Sequence, residues 1–114
     1  HGEAYNFGPF VHQSYTVSEL IDQMAESWNQ VRWSDVSQDQ NDLHEAGLLK
    51  LNCDKALFDL NWQPTLQFEE TVRMTVEWYK SFYEGQNKSM CDFTMAQIEE
   101  FIEFAKSRNM IWAL

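Results

Sequence analysis

HEAGLLKLNCDKALFDLNWQPTLQFEETVRMTVEWY, residues 44–79, changes pattern repeatedly within one stretch, and those changes decide the fold expected of this chain. Leu48 to Leu51 is apolar enough for a short strand. Asn52 can cap a short helix in which Cys53, Ala56, Leu57 and Leu60 recur at helical spacing. Asn61-Trp62-Gln63-Pro64 breaks that helix. From about Leu66 to Tyr83 the pattern predicts a longer helix, with Phe68, Val72, Val76, Tyr79 and Phe82 or Tyr83 on one broad face and Gly85 as its stop.

Upstream, Glu3 to Phe7 alternates side-chain types before the breaker pair Gly8-Pro9, which reads as a short strand. Thr16 as N-cap and Glu19 make a capping box, with Tyr15 and Leu20 as a hydrophobic staple. Val17, Leu20, Ile21, Met24, Ala25 and Trp28 then form a helical stripe ending near Asn29. Val31 to Val36 is a further candidate strand, and Ser34 to Asp42 is polar enough to be a solvated loop. Downstream, Phe93-Thr94 to Gln97-Ile98 repeats the capping-box pattern, and Ile98, Phe101, Ile102 and Ala105 supply a last apolar stripe. The expectation is a single domain over residues 1–114 in the α+β class, mostly helical, with about four helices and two or three short strands.

The formal net charge of −10, with 8 basic residues and no basic run, argues against nucleic acid and against a polybasic membrane patch. No apolar run approaches a membrane span, and no signal region opens the sequence, so a cytoplasmic protein is expected. Cys53 and Cys91 have no companions at metal-binding spacing; they read as reduced thiols, with one disulfide as the alternative. The 8 Phe, 4 Tyr and 5 Trp suggest either a docking face or an aromatic-rich core.

Catalytic patterns are missing. His44-Glu45 would need a second His four residues after the first to bind zinc from one helical face, and Leu48 stands there. His1, His12 and His44 show no ligand spacing, so no metal is expected. A dinucleotide turn needs closely spaced glycines, whereas Gly2, Gly8, Gly47 and Gly85 are dispersed. Neither a Gly-x-Ser-x-Gly element nor a Tyr-x-x-x-Lys pair occurs, since Tyr5, Tyr15, Tyr79 and Tyr83 are followed four positions later by Pro9, Glu19, Tyr83 and Asn87.

The segments Gly2-Glu3-Ala4-Tyr5-Asn6-Phe7-Gly8-Pro9, His44-Glu45-Ala46, Leu49 to Ala56, Leu60-Asn61-Trp62-Gln63-Pro64, Thr71 to Tyr79 and Phe93 to Ile98 stand in one order. In that order they resemble the C-terminal part of CDP-glucose 4,6-dehydratases, members of the extended short-chain dehydrogenase/reductases. The resemblance implies a small substrate-binding domain that closes over CDP-glucose or a related nucleotide sugar. The NAD-binding Rossmann domain, with every catalytic residue, would then be absent from this chain. In the full-length enzyme that family implies, hydride passes from sugar C4 to NAD, water leaves across C5 and C6, and hydride returns at C6 to give the 4-keto-6-deoxy sugar.

The resemblance also implies substrate-binding roles. The Glu45 carboxylate would accept hydrogen bonds from ribose hydroxyls, which suits an acceptor-only group, and His44 would touch base or phosphate. Related GDP-mannose dehydratases carry an Arg three positions before that Glu, where this chain has Asp42. The alternatives are the C-terminal domain of another nucleotide-sugar dehydratase or epimerase, and an interaction module of the same fold that works through its aromatic surface.

Overall fold

The computed structural model describes residues 2–10, 12–34, 51–85 and 89–114. Its elements are α1 (Val17–Ser27), α2 (Asp54–Leu60), α3 (Phe68–Glu84), α4 (Met90–Ser107) and a closing 3-10 turn, Ile111–Ala113. Among the described residues there is no β-strand, which corrects the expected α+β class to an all-helical arrangement. Residues 3–7 and 31–34 are irregular, as is Leu51, the one described residue of the third candidate strand. The physical reason is pairing: an alternating pattern makes a strand only beside a partner whose ladder takes up its backbone groups, and among the described residues no backbone–backbone hydrogen bond joins residues 3–7 to another segment.

α1 begins where the capping box predicts. Thr16 Oγ1 accepts from the Glu19 amide at 3.2 Å, and Glu19 Oε2 accepts from the Thr16 amide at 2.7 Å. The bond from the Thr16 amide first, and then one that the Thr16 hydroxyl donates to the same oxygen at 2.8 Å, hold the Glu19 pKa below its ordinary value. The Tyr15 ring, expected to staple onto Leu20, instead lies flat on Phe68 of α3 at 3.7 Å between ring centres. α2 starts one residue later than expected, with Cys53 at the N-cap, yet Asn52 Oδ1 still accepts from the Asp54 amide at 2.8 Å. Asn61 ends α2 in the left-handed region at φ 51°, where asparagine is among the few tolerated residues.

α3 opens two residues after Leu66, at Phe68, because Gln67 takes the N-cap and Glu70 reaches back to its amide at 2.8 Å. It stops at Gly85, whose φ of −76° is open to any residue. The need for glycine there is steric, since a Cβ would stand 2.2 Å from the Ser81 carbonyl oxygen. α4 departs further from the sequence reading. Ser89 is its N-cap, accepting from the Asp92 amide at 3.3 Å, and Thr94 lies inside the helix. Thr94 Oγ1 donates to the Met90 carbonyl at 2.8 Å and accepts the Trp78 indole N–H at 3.0 Å, so it ties α4 to α3 and caps nothing. α4 ends in a Schellman motif: Asn109 is left-handed at φ 54°, its amide bonds the Lys106 carbonyl and the Met110 amide bonds that of Ala105, each at 2.9 Å.

α3 is the central element, packed on α1 along one side and on α4 along the other. Val72 and Val76 are buried on it, with Ala105 of α4, Ala56 of α2 and Thr65 completing the buried set among the described residues. Arg73 crosses from α3 to α4, bonding Glu77 at 2.8 Å and Glu100 at 2.5 Å. Partial burial weighs against its charge, but the two carboxylates prevail and hold its pKa above the ordinary arginine value. Gln97 of α4 donates to the Met74 carbonyl at 2.7 Å, a second polar tie across the same contact.

Candidate functional site

Two segments that carry the family resemblance, Gly2–Pro9 and Leu51–Ala56, lie side by side although some fifty positions apart in sequence. Asn6 Nδ2 donates to the Asn52 carbonyl at 3.3 Å, and the Tyr5 hydroxyl donates to Asp59 at 3.2 Å. The Lys55 ammonium bonds the Ala4 carbonyl at 3.2 Å and Glu3 at 2.7 Å, and stands 4.6 Å above the Tyr5 ring centre. The Lys55–Glu3 pair is exposed and adds little by itself. Together these contacts seat α2, which packs on none of the other helices, against the N-terminal segment. Gly8 is part of the fit, since a Cβ there would meet Cys53 Sγ at 3.4 Å.

Trp62 stands at the centre of the surface that results. Its ring meets Phe7 edge-on at 4.9 Å, and hollows open on either side of it. One, of about 300 Å³, lies between Pro9, Tyr15, Trp62, Phe68 and Phe101. The other, of about 640 Å³, runs between Phe7, Asn61, Trp62 and Gln63 on one wall and Arg108 to Trp112 on the other. No carboxylate among the described residues lines either, a local contrast with the acidic chain as a whole.

Arg108 fixes the wall between them. One guanidinium nitrogen donates to the carbonyl of buried Thr65 and another to Glu70 Oε1 at 2.6 Å, with the guanidinium 5.1 Å from the Phe104 ring centre. The bond from Arg108 is the main cause of a Glu70 pKa below its ordinary value. The sequence reading missed this clasp. The expected C-terminal stripe stops at Ala105, three positions before Arg108, and the clasp's partners Thr65 and Glu70 lie 43 and 38 positions away.

The expected substrate residues His44 and Glu45 lie outside the described residues, as do Asp42 and Gly47. Leu51 follows that stretch directly and sits against Gly8, so the chain leaves it beside the N-terminal segment. The described residues offer no reacting centre. Lys55 covers the face of Tyr5 while the hydroxyl is engaged by Asp59, which is not the geometry of a Tyr–Lys catalytic pair. No group of three or more His, Cys, Asp or Glu among them could hold a metal. Of their glycines, Gly8 abuts Cys53 and Gly85 abuts Ser81, while Gly2, at φ 86°, has open space around it. Cys53 and Cys91 are free thiols, as expected. No helix among them is long and apolar enough to cross a membrane.

No protein-family model matches the chain, and neither does any solved structure. Over 90 residues it is 34% identical to the CDP-glucose 4,6-dehydratase of Salmonella typhimurium, a match that takes in 78% of this chain and 24% of that protein. The chain is homologous to part of a nucleotide-sugar dehydratase. It spans about a quarter of the length of the relative it matches.

Proposed function

We propose that this chain is the nucleotide-sugar-binding, C-terminal domain of a CDP-glucose 4,6-dehydratase whose Rossmann domain and NAD lie on polypeptide outside these 114 residues. The observation that carries the proposal is the 34% identity over 90 residues to a protein of that name. One feature of the structure supports it. The segments that bear the resemblance, Ala4 to Asn6 and Asn52 to Lys55, are bonded to each other, as parts of one working surface should be.

In this reading NAD, held by the missing domain, would take up hydride from the sugar and return it to the sugar. Glu45 and His44 carry the contacts to the nucleotide. Glu45 accepts from the ribose hydroxyls, so its loss should weaken substrate binding and leave the chemical steps intact.

The test is kinetic, on the complete gene product. It should convert CDP-glucose to the 4-keto-6-deoxy sugar, with UDP-glucose a poorer substrate. Glu45→Ala should raise KM about tenfold or more with kcat largely kept, as expected when binding shared by ground and transition states is removed. Absence of turnover, or equal use of UDP-glucose, would refute the assignment; an unchanged KM would remove Glu45 from the site.

A further inference from the structure

The C-terminal half of α3 leaves a continuous aromatic surface that nothing among the described residues covers. Trp78 and Phe82 stack at 5.6 Å and 7°, and Tyr79 and Tyr83 run alongside them at 6.5 Å and 15°. Edge-on contacts join the two rows, Trp78 to Tyr79 at 5.4 Å and Phe82 to Tyr83 at 5.2 Å, and Trp28 of α1 extends the surface from Tyr83 at 6.3 Å. Tyr79, Phe82 and Tyr83 are 49%, 55% and 69% exposed. Aromatic rings carry negative potential on their faces, which attracts cations.

Carboxylates border the patch. Glu84 accepts the Trp28 indole N–H at 2.7 Å through one oxygen, and Asp22 accepts that of Trp33 at 3.1 Å, so carboxylates stand at the edges of the indoles. α1 carries Glu19, Asp22 and Glu26 and no basic residue. Lys80 is engaged by the Ser27 carbonyl at 3.4 Å, beside Trp28, and Arg73 is taken up by Glu77 and Glu100. A second copy of this chain, with the same acidic rim and the same charge of −10, is repelled, and nucleic acid and anionic lipid are repelled likewise.

We infer that this aromatic face is covered by a basic segment, bearing Arg and Lys, from the remaining polypeptide of the longer protein to which the chain belongs. The inference rests on the reading of the chain as part of a larger dehydratase, whose relative has about three quarters of its length outside the match. Guanidinium groups lie over the exposed ring faces, a pairing favoured for Arg over Tyr and Trp. Lysine ammonium groups meet Glu84 and the acidic rim of α1.

The experiment compares the 114-residue chain with the complete gene product by oxidative footprinting of Tyr79, Phe82 and Tyr83, read residue by residue by mass spectrometry. Labelling should fall several-fold in the complete protein and recover in part at 1 M salt, where screening reaches within about 3 Å. Carbodiimide should couple Glu84 to a lysine outside these 114 residues. Equal labelling in both proteins overturns the inference, as does a gene product with no further polypeptide. It is also overturned if the cross-link joins two copies, or if protection comes from a segment without basic residues. CDP-glucose turnover is measured on the same sample, so a wrong substrate assignment leaves turnover absent with the face still protected, whereas a wrong inference leaves turnover present with the face open.

Discussion

One carboxylate, Glu70, closes the start of α3 and holds the end of α4 at once, through Oε2 to the Gln67 amide and Oε1 to Arg108. Its side chain is 21% exposed, so the pair keeps more of its strength than a surface ion pair. Glu70→Ala should therefore cost about 1–3 kcal/mol at neutral pH, since Arg108 loses a charged acceptor and the Gln67 amide loses its partner. The sign with pH follows from the lowered pKa. A carboxylate depressed in the folded state stabilises above its unfolded value and loses that contribution as pH falls through its folded value. Urea unfolding should show the gap between wild type and Glu70→Ala at pH 7 narrowing through the acid range; a gap constant with pH would mean that the interaction is not ionic. Val76 tests the core instead of the clasp. It is 1% exposed and the largest fully buried side chain among the described residues, so Val76→Ala should cost roughly 2 kcal/mol by the same measurement.

At the scale of the elements, caps separate what the sequence shows from what it hides. Thr16 with Glu19 is a local pattern, complete within four residues, and the structure forms it as read. The same pattern at Thr94 and Gln97 is also local, yet Thr94 sits a full turn inside α4, because Ser89 offers an earlier cap and the Trp78 indole takes up the Thr94 hydroxyl. That competition is tertiary, and no window of sequence contains both Trp78 and Thr94 as neighbours. Strands failed for a related reason, since alternation specifies a face but never the partner that must pair with it. Thr16→Ala should cost about 1 kcal/mol and fray α1, and Ser89→Ala should do the same to α4. Thr94→Ala should leave the start of α4 intact. Backbone chemical shifts of residues 90–92 distinguish the last two: a shift in Thr94→Ala as large as in Ser89→Ala would restore the capping role that the structure denies it. The candidate site was legible to a similar degree. Residue type pointed to its N-terminal and α2 segments, while the Arg108 clasp joins positions 38 and 43 residues apart and leaves no local trace.

For the molecule as a whole, the quantities that oppose each other are apolar exposure and charge. The aromatic face on α3 and the apolar closing turn, where Ile111 is 77% and Trp112 55% exposed, are apolar surfaces that favour association between copies. At neutral pH the charge of −10 holds copies apart. That repulsion vanishes toward the sequence isoelectric point of about 4.5, where the net charge approaches zero and the rings do not change. The isolated chain should accordingly scatter light as a monomer at pH 7 and self-associate as pH falls toward that point. Raising salt at pH 7 should produce a weaker form of the same change, because screening removes repulsion without removing charge. Phe82→Ser with Tyr83→Ser alters two exposed side chains on the aromatic face and leaves the net charge as it is. In that double variant the acid-driven association should be largely lost, whereas Ile111→Ser, at the other end of the molecule, should retain it. If both variants associate as the wild type does, the attraction lies elsewhere on the chain and the α3 face is not its dominant adhesive surface.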